Sequence, residues 1–291
     1  METLLSFDQI DKIGYKKMKI FHSISYNMAI EGVYKYFVPA ANAVATFIYF
    51  HGYGSYAMND LQHVLKPFAR NGINIATIDY PGHGHSNGDR FEVNFEQIVS
   101  VAKEFVQEVK EDEVCGNVPI FIGGTSLGGA VASKMLELEK DARHGFLISP
   151  MYQLPKTFVN KIGFVVVPFL TKFFPNARVL KPNSHPFDEE FNTHWFNDPL
   201  TRHGKITFNT ANELAKLSNS ARILSPSIDV PMTCFQSVLD TQVDFMTNIE
   251  LFNKTDNRNV VVYTDSWHPL LVEKCRDDII KRMIDTIKSK V

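Results

Sequence analysis

The 291-residue sequence has little cysteine. Cys115, Cys234 and Cys275 are an odd number at wide spacings, with no CxxC and no cysteine–histidine pattern. That excludes a disulfide framework and a zinc site of that kind, and reduced thiols are expected. The chain also lacks an excess of either charge, with 30 Lys+Arg against 32 Asp+Glu. Such a balance argues against nucleic acid as a partner. Long apolar runs are missing. The longest, residues 162–170, contains Pro168 and falls short of the roughly 20 residues that span a bilayer. Near the start, Asp8 and Asp11 stand where a secretion signal needs an apolar core. The expectation is a soluble, cytoplasmic protein, peripheral at a membrane surface at most.

What is present is a globular rhythm. Apolar, β-rich runs at 45–50, 73–79, 118–123, 145–149, 231–236 and 260–263 read as strands. Helical patterns at 61–71, 95–111, 127–140, 243–253 and 269–289 lie between them. In the second of these, Ile98, Val101, Ala102, Phe105, Val106 and Val109 recur at intervals of three and four, as an amphipathic helix requires. Strands alternating with helices imply an α/β fold with a mostly parallel sheet and right-handed crossovers. The rhythm breaks once. Residues 151–229 give no readable strand–helix pair and hold seven of the 14 prolines. The expected organisation is therefore a core of 1–150 and 230–291 with 151–229 inserted.

Gly124-Thr-Ser126-Leu-Gly128 follows one strand candidate and opens a helix candidate. A serine on that sharp turn is exposed for attack, and the residues two away must be small so that strand and helix can pass closely. The helix N-terminus also offers unpaired N–H groups to a developing anion. Ser126 is thus a candidate nucleophile. It needs a base, and the base needs an orienting carboxylate. His268 is the only one of ten histidines beyond the last strand candidate. Three carboxylates could serve. Asp240 lies in the loop after strand 231–236. Asp244 starts a helical pattern, where capping is commonplace, and Asp265 belongs to the histidine's own loop. Asp240 ranks first, Asp244 second.

Acyl transfer also needs two N–H donors for the oxyanion. The Leu127 amide follows the nucleophile. The Tyr53 amide, within His51-Gly-Tyr-Gly54 after the first strand, is the second candidate. The glycine-rich loop from Asp79 to Gly88 lacks the Lys-Ser/Thr of a phosphate cradle. His83 and His85 within it have no third ligand nearby, so no metal and no cofactor are expected.

Together these motifs resemble the α/β-hydrolase superfamily, and within it the monoacylglycerol lipase/lysophospholipase group. The likeness rests on His51-Gly-Tyr-Gly54, Asp79-Tyr-Pro-Gly-His-Gly84 with Ser86 and Gly88, Gly124-Thr-Ser-Leu-Gly-Gly129, Ser149-Pro150, Asn197-Asp-Pro-Leu200, Asp240 and His268. It implies the α/β-hydrolase fold with an inserted lid. It also implies a Ser126–Asp240–His268 triad, oxyanion donors at Tyr53 and Leu127, and a single-chain lipid ester as substrate. The sequence departs from the family at Thr125, where histidine is usual. It departs also at the bulky Tyr53 and at the run Gln-Ser-Val-Leu before Asp240, where glycine usually follows the strand.

The insertion has a chemistry of its own. Residues 151–187 contain no Asp or Glu but carry Lys156, Lys161, Lys172, Arg178 and Lys181. Phe158, Ile162, Val165, Phe169 and Phe173 recur at helical spacing, with Phe164, Val167 and Phe174 off that stripe. Pro168 should kink or split the helix. A helix apolar on two sides could face an acyl tunnel with one and a lipid surface with the other. Phe158, Phe164, Phe169 and Phe173 are the expected substrate-contacting or cap residues, with Phe164, Val167 and Phe174 facing lipid. The expected function is hydrolysis of monoacylglycerols or lysophospholipids. Rivals are a short-chain carboxylesterase or thioesterase, a proline-type aminopeptidase using Glu189, Glu190 or Asp198, and a non-catalytic ligand receptor. Oligomeric state is not legible.

Overall fold

Strands buried on both faces are mostly apolar, and two runs fit that pattern, their polar Thr46 and Asn74 bonding each other at 3.1 Å. Ala45–Phe50 (β5) and Ile73–Ile78 (β6) are buried throughout. In the computed structural model, which describes residues 16–17, 21–23, 30–155, 158–180, 184–186 and 188–291, they sit at the centre of an eight-stranded sheet. The other members are Lys16–Lys17 (β1), Lys35–Val38 (β4), Ile120–Thr125 (β7), His144–Ile148 (β8), Met232–Ser237 (β11) and Arg258–Tyr263 (β12). The order is β1-β4-β6-β5-β7-β8-β11-β12. All pairs are parallel except β1·β4 and β4·β6. Two small antiparallel pairs stand apart: Phe21–Ser23 (β2) with Ile30–Val33 (β3), and Arg178–Leu180 (β9) with Ile206–Thr207 (β10).

Helices cover both faces. Along β5 the side chains alternate, so Ile48 and Phe50 join one apolar cluster while Phe47 and Tyr49 join the other. The first cluster is closed by Phe95–Glu111 (α3), Leu127–Leu138 (α4) and Phe252 at the end of Phe245–Phe252 (α8). The second is closed by Ala57–Leu61 (α1), Leu65–Arg70 (α2) and Arg276–Lys288 (α9).

Several elements differ from the sequence reading. The antiparallel strands before residue 40 were not expected. β4 begins with a lysine, which hides its character, and Lys35 is tolerated in the buried strand because its ammonium donates to Glu108 at 2.6 Å. The expected helix 61–71 is two short helices, α1 and α2. The expected helix 269–289 is a single 3-10 turn, Leu270–Val272, then α9. Glu273 breaks it in extended backbone, and its carboxylate binds His185.

Among the described residues, no strand between β8 and β11 joins the large sheet. That stretch forms Phe158–Phe173 (α5), β9, Glu189–Asn197 (α6), β10 and Phe208–Leu224 (α7). α5 runs unbroken through Pro168, so the expected split does not occur. Among the described residues no helix is long and apolar enough to cross a membrane.

The crossing of β7 into α4 is the tightest point. A methyl group at Gly128 would lie 1.9 Å from the Phe50 carbonyl oxygen, and one at Gly124 would lie 2.4 Å from the Gly128 oxygen. Neither clash can be relieved by rotating a side chain. Gly128→Ala should therefore destabilise the fold by about 3 kcal/mol or more. Thermal or denaturant unfolding against the wild type measures this, and an unchanged midpoint contradicts it.

Candidate active site

The geometry starts at Ser126. Squeezed between β7 and α4, it takes φ 54 and ψ −114, a left-handed backbone that a residue other than glycine rarely adopts. Its N–H donates to the Ile148 carbonyl at 2.9 Å, and its carbonyl accepts from Met151 at 2.9 Å. The turn is thus locked to the end of β8. Leu127 is the first residue of α4, so the helix's own ladder offers its N–H no partner.

Asp240 and His268 come from adjacent loops after β11 and β12. Val238 N–H donates to the Tyr263 carbonyl at 3.0 Å, and Trp267 Nε1 donates to Thr241 Oγ1 at 2.9 Å. The Ser237 hydroxyl donates to the Ser266 carbonyl. These ties bring His268 Nδ1 to 2.7 Å from Asp240 Oδ2. Asp240 Oδ1 accepts from the amides of Gln242 and Val243 at 2.8 and 3.0 Å. Gln236 Nε2 adds a bond to Oδ2 at 3.2 Å. Burial alone would push the Asp240 carboxyl up. The imidazole beside it and the two amides outweigh burial and hold it below the usual carboxylate range. Asp244 instead caps α8, accepting from Thr247 N–H at 2.8 Å. Asp265 is exposed.

Ser126, His268 and Tyr53 line one cavity of about 360 Å³. A serine that shares a cavity with an imidazole whose Nδ1 is held by a buried carboxylate has the groups needed for attack on an acyl carbon. The Tyr53 loop passes close to Ser126: a methyl at Gly52 would lie 3.7 Å from Ser126 Cβ. The loop is closed by Ser55 N–H to Gly52 O at 3.2 Å, with Gly54 at φ 77. The Tyr53 side chain points elsewhere, donating to the Phe91 carbonyl at 2.8 Å under the Arg202 guanidinium.

Not every expected residue reaches the cavity. The side chains of Phe158 and Phe164 lie outside the described residues. Phe169 and Phe173 do not line it. They are 64% and 56% exposed, with ring centroids 5.1 Å apart on the outer side of α5. Val167 and Leu170 are half-buried on the inner side, where Thr171 Oγ1 reaches the Phe208 carbonyl at 3.2 Å. Phe169 and Phe173 thus face outward and Val167 inward, the reverse of expectation, because α5 packs on α7 through the Val167 side, whereas Phe174 is exposed as expected. The acyl-sized lining comes instead from Phe191 and Trp195 on α6, and from Leu214 and its neighbours on α7. The spacing of Ala211, Leu214, Ala215 and Ser218 was the readable signal for that face.

Sequence reasoning also missed Asp60. Its Oδ2 accepts from Gly52 N–H and the Tyr49 hydroxyl, both at 2.9 Å, and its Oδ1 accepts from Ser55 Oγ at 2.6 Å. No motif marks it.

The family described as serine aminopeptidase, S33, matches residues 41–275. The chain belongs to this family. It is a serine hydrolase of the α/β-hydrolase superfamily and resembles the monoglyceride lipases. A monoglyceride lipase homolog of Monkeypox virus is 24% identical over 91% of this chain and 95% of its own. The mouse (Mus musculus) monoglyceride lipase is 25% identical over 81% and 79%. Among solved structures, a soluble variant of the Saccharomyces cerevisiae monoglyceride lipase superposes with a TM-score of 0.79 at 16% identity, covering 96% and 97% of the two chains. At that identity the superposition shows the shared fold.

Two histidines outside the Asp240 pair bear on stability. His51 and His83 are buried beside Tyr80. Burial holds both below the ordinary imidazole value, His83 at about 4. Between the ordinary 6.5 and about 4 the unfolded chain takes up a proton at His83 that the folded chain refuses. This contribution to stability therefore falls as pH falls through that window. Asp60 and Asp79, whose carboxyls burial raises, act in the opposite sense in wild type and variant alike. His83→Gln should flatten the dependence, read as the difference in urea midpoints between about pH 7 and about pH 5. An unchanged slope contradicts it.

Proposed function

We propose that this chain hydrolyses the fatty-acyl ester of a single-chain lipid, a monoacylglycerol or lysophospholipid, through an acyl-enzyme. The observation that carries the reading is the hydrogen-bonded His268–Asp240 pair opening, with Ser126, on one largely apolar cavity. Ser126 Oγ attacks the ester carbonyl while His268 Nε2 takes its proton. Nδ1 is the nitrogen committed to Asp240, which stabilises the imidazolium. The Tyr53 and Leu127 amides receive the oxyanion. His268 then returns the proton to the leaving alcohol, and water activated by the same imidazole releases the fatty acid.

The lining favours this reading over an aminopeptidase. A free amine needs a carboxylate in the pocket, and no Asp or Glu is among its lining residues. Glu189 and Glu190 are exposed on α6, and Asp198 is engaged by the Tyr56 hydroxyl at 2.8 Å. Trp195, Phe191 and Leu214 suit an alkyl chain better than a peptide N-terminus. In this reading residues 151–229 are a cap. Support comes from the cavity walls on α6 and α7, and from Arg202 N–H donating to the Gly54 carbonyl at 2.8 Å.

Ser126→Ala should lower ester hydrolysis by at least about 10⁴-fold and abolish labelling by a fluorophosphonate, with unfolding unchanged. Labelling that persists in the folded variant overturns the assignment.

The cap's outer side supports transient contact with membrane. Phe169, Phe173 and Phe174 are exposed there, near Lys172 and Arg178 and with no acidic residue from 151 to 187. Replacing the three phenylalanines with serine should lower co-sedimentation with vesicles containing anionic phospholipid by about tenfold, while hydrolysis of a soluble p-nitrophenyl ester stays unchanged. Equal sedimentation of variant and wild type contradicts the contact.

A further inference from the structure

Two chain segments must be held in register for the proposed reaction: the loop carrying the Tyr53 amide, and the turn carrying Ser126. They come from different strands, β5 and β7, and neither is a regular element. One side chain bonds the first directly and reaches the second through the Tyr49 hydroxyl. Asp60, in the first turn of α1, receives Gly52 N–H at 2.9 Å and the Ser55 hydroxyl at 2.6 Å. These bonds flank Tyr53 on either side. Its Oδ2 also receives the Tyr49 hydroxyl at 2.9 Å, and that hydroxyl lies 2.7 Å from Thr125 Oγ1, on the residue before Ser126. Asn59 Nδ2 donates to Ser55 Oγ at 2.8 Å, which leaves the Ser55 hydroxyl proton for Asp60. Tyr49, Ser55 and Thr125 are all buried.

We propose that Asp60 is a positioning residue, a carboxylate clamp that fixes the Tyr53 amide relative to Ser126. The inference rests on the reading of Ser126, His268 and the Tyr53 amide given above. The chemistry asks for a carboxylate at this point. Gly52 N–H, the Ser55 hydroxyl and the Tyr49 hydroxyl are three donors converging on one group, and only an ionised acid accepts all three without supplying a proton of its own. Burial works against that charge, and the same three donors together with the nearby His268 work for it. The clamp also accounts for Thr125. A hydroxyl there meets Tyr49 and completes the path from the oxyanion loop to the serine turn. An N–H misplaced by a fraction of an ångström loses most of its hold on a transition-state oxygen while leaving ground-state binding nearly intact.

The test compares Asp60→Ala, Asp60→Asn and Tyr49→Phe on a p-nitrophenyl ester and on an alkyl trifluoromethyl ketone. The ketone accepts the serine oxygen at its carbonyl carbon, its oxygen becomes the oxyanion, and the serine proton passes to His268. Asp60→Ala should lower kcat by about 100-fold with KM within about threefold, and weaken the ketone by a similar factor. Asp60→Asn keeps one oxygen acceptor and should lose about tenfold. Tyr49→Phe cuts only the Thr125 arm and should lose about threefold. A folded Asp60→Ala with wild-type kcat overturns the proposal, as does a loss confined to KM. If Asp60→Ala does not fold, wild-type kcat and ketone affinity in both Asp60→Asn and Tyr49→Phe overturn it instead. Ser126→Ala separates the two readings: an active Ser126→Ala overturns the underlying mechanism, whereas full activity in the Asp60 variants with a dead Ser126→Ala overturns the clamp alone.

Discussion

Everything at the site follows from how closely β7 and α4 pass beneath Phe50. The strand ends, the chain reverses, and the helix begins with no room for a β-carbon at either Gly124 or Gly128. The reversal forces Ser126 into a left-handed backbone. Such a conformation costs on the order of 1–3 kcal/mol and persists only where the surroundings over-determine it. Here they do. The Ile148 carbonyl holds the Ser126 N–H, Met151 holds its carbonyl, and Ala130, Val131 and Ala132 bury the helix behind it. The strain is therefore borne by the sheet, and the serine side chain is left at the cavity with a fresh helix N-terminus under it.

The second constraint is charge. Three carboxylates, Asp60, Asp79 and Asp240, sit where burial penalises ionisation, and each is surrounded by donors. They divide the labour by partner. Asp79 ties the glycine-rich loop to α1, accepting from the amides of His85 and Ala57 and from the Tyr36 hydroxyl. A methyl at Gly84 would collide with that carboxylate at 2.1 Å, so the glycine there makes room for an acid rather than for a ligand. Asp240 alone faces an imidazole, and it alone of the three lies below its ordinary range. The sign of the shift separates the carboxylate paired with an imidazole from the two bound by amides and hydroxyls alone.

Much of this was legible because it is local. Gly-x-Ser-x-Gly between an apolar run and a helical pattern specifies a turn, and His268 after the last strand is a matter of order along the chain. Asp240 over Asp244 could be reasoned from capping, since a carboxylate at a helix start has an N–H to satisfy, and Asp244 does bind Thr247. What was hidden is non-local. Lys35 looks like a break in a strand until Glu108, 73 residues away, neutralises it. Asp60 looks like any acid at a helix start until Gly52, Ser55 and Tyr49 converge on it. The two sides of α5 could not be told apart by apolarity, because both are apolar. Only the packing of α7 against Val167 and Leu170 decides which phenylalanines are left outside.

That last point bears on how the cavity is built. Among the described side chains, the phenylalanine-rich helix supplies none of the wall around Ser126. Phe169, Phe173 and Phe174 lie outside, while Trp195, Phe191 and Leu214, from the less apolar helices α6 and α7, lie inside. A chain that needed aromatics only for a substrate tunnel would gain nothing by exposing three of them beside lysine and arginine. Exposed aromatic area of this kind is unfavourable in water and favourable at a lipid boundary. Residues 151–229 thus divide into an outer helix with exposed aromatics and an inner pair that shapes the pocket, which fits the proposed contact with a lipid surface. The same segment reaches the Gly54 carbonyl through the Arg202 N–H. Asp60 anchors the Tyr53 loop from the opposite side.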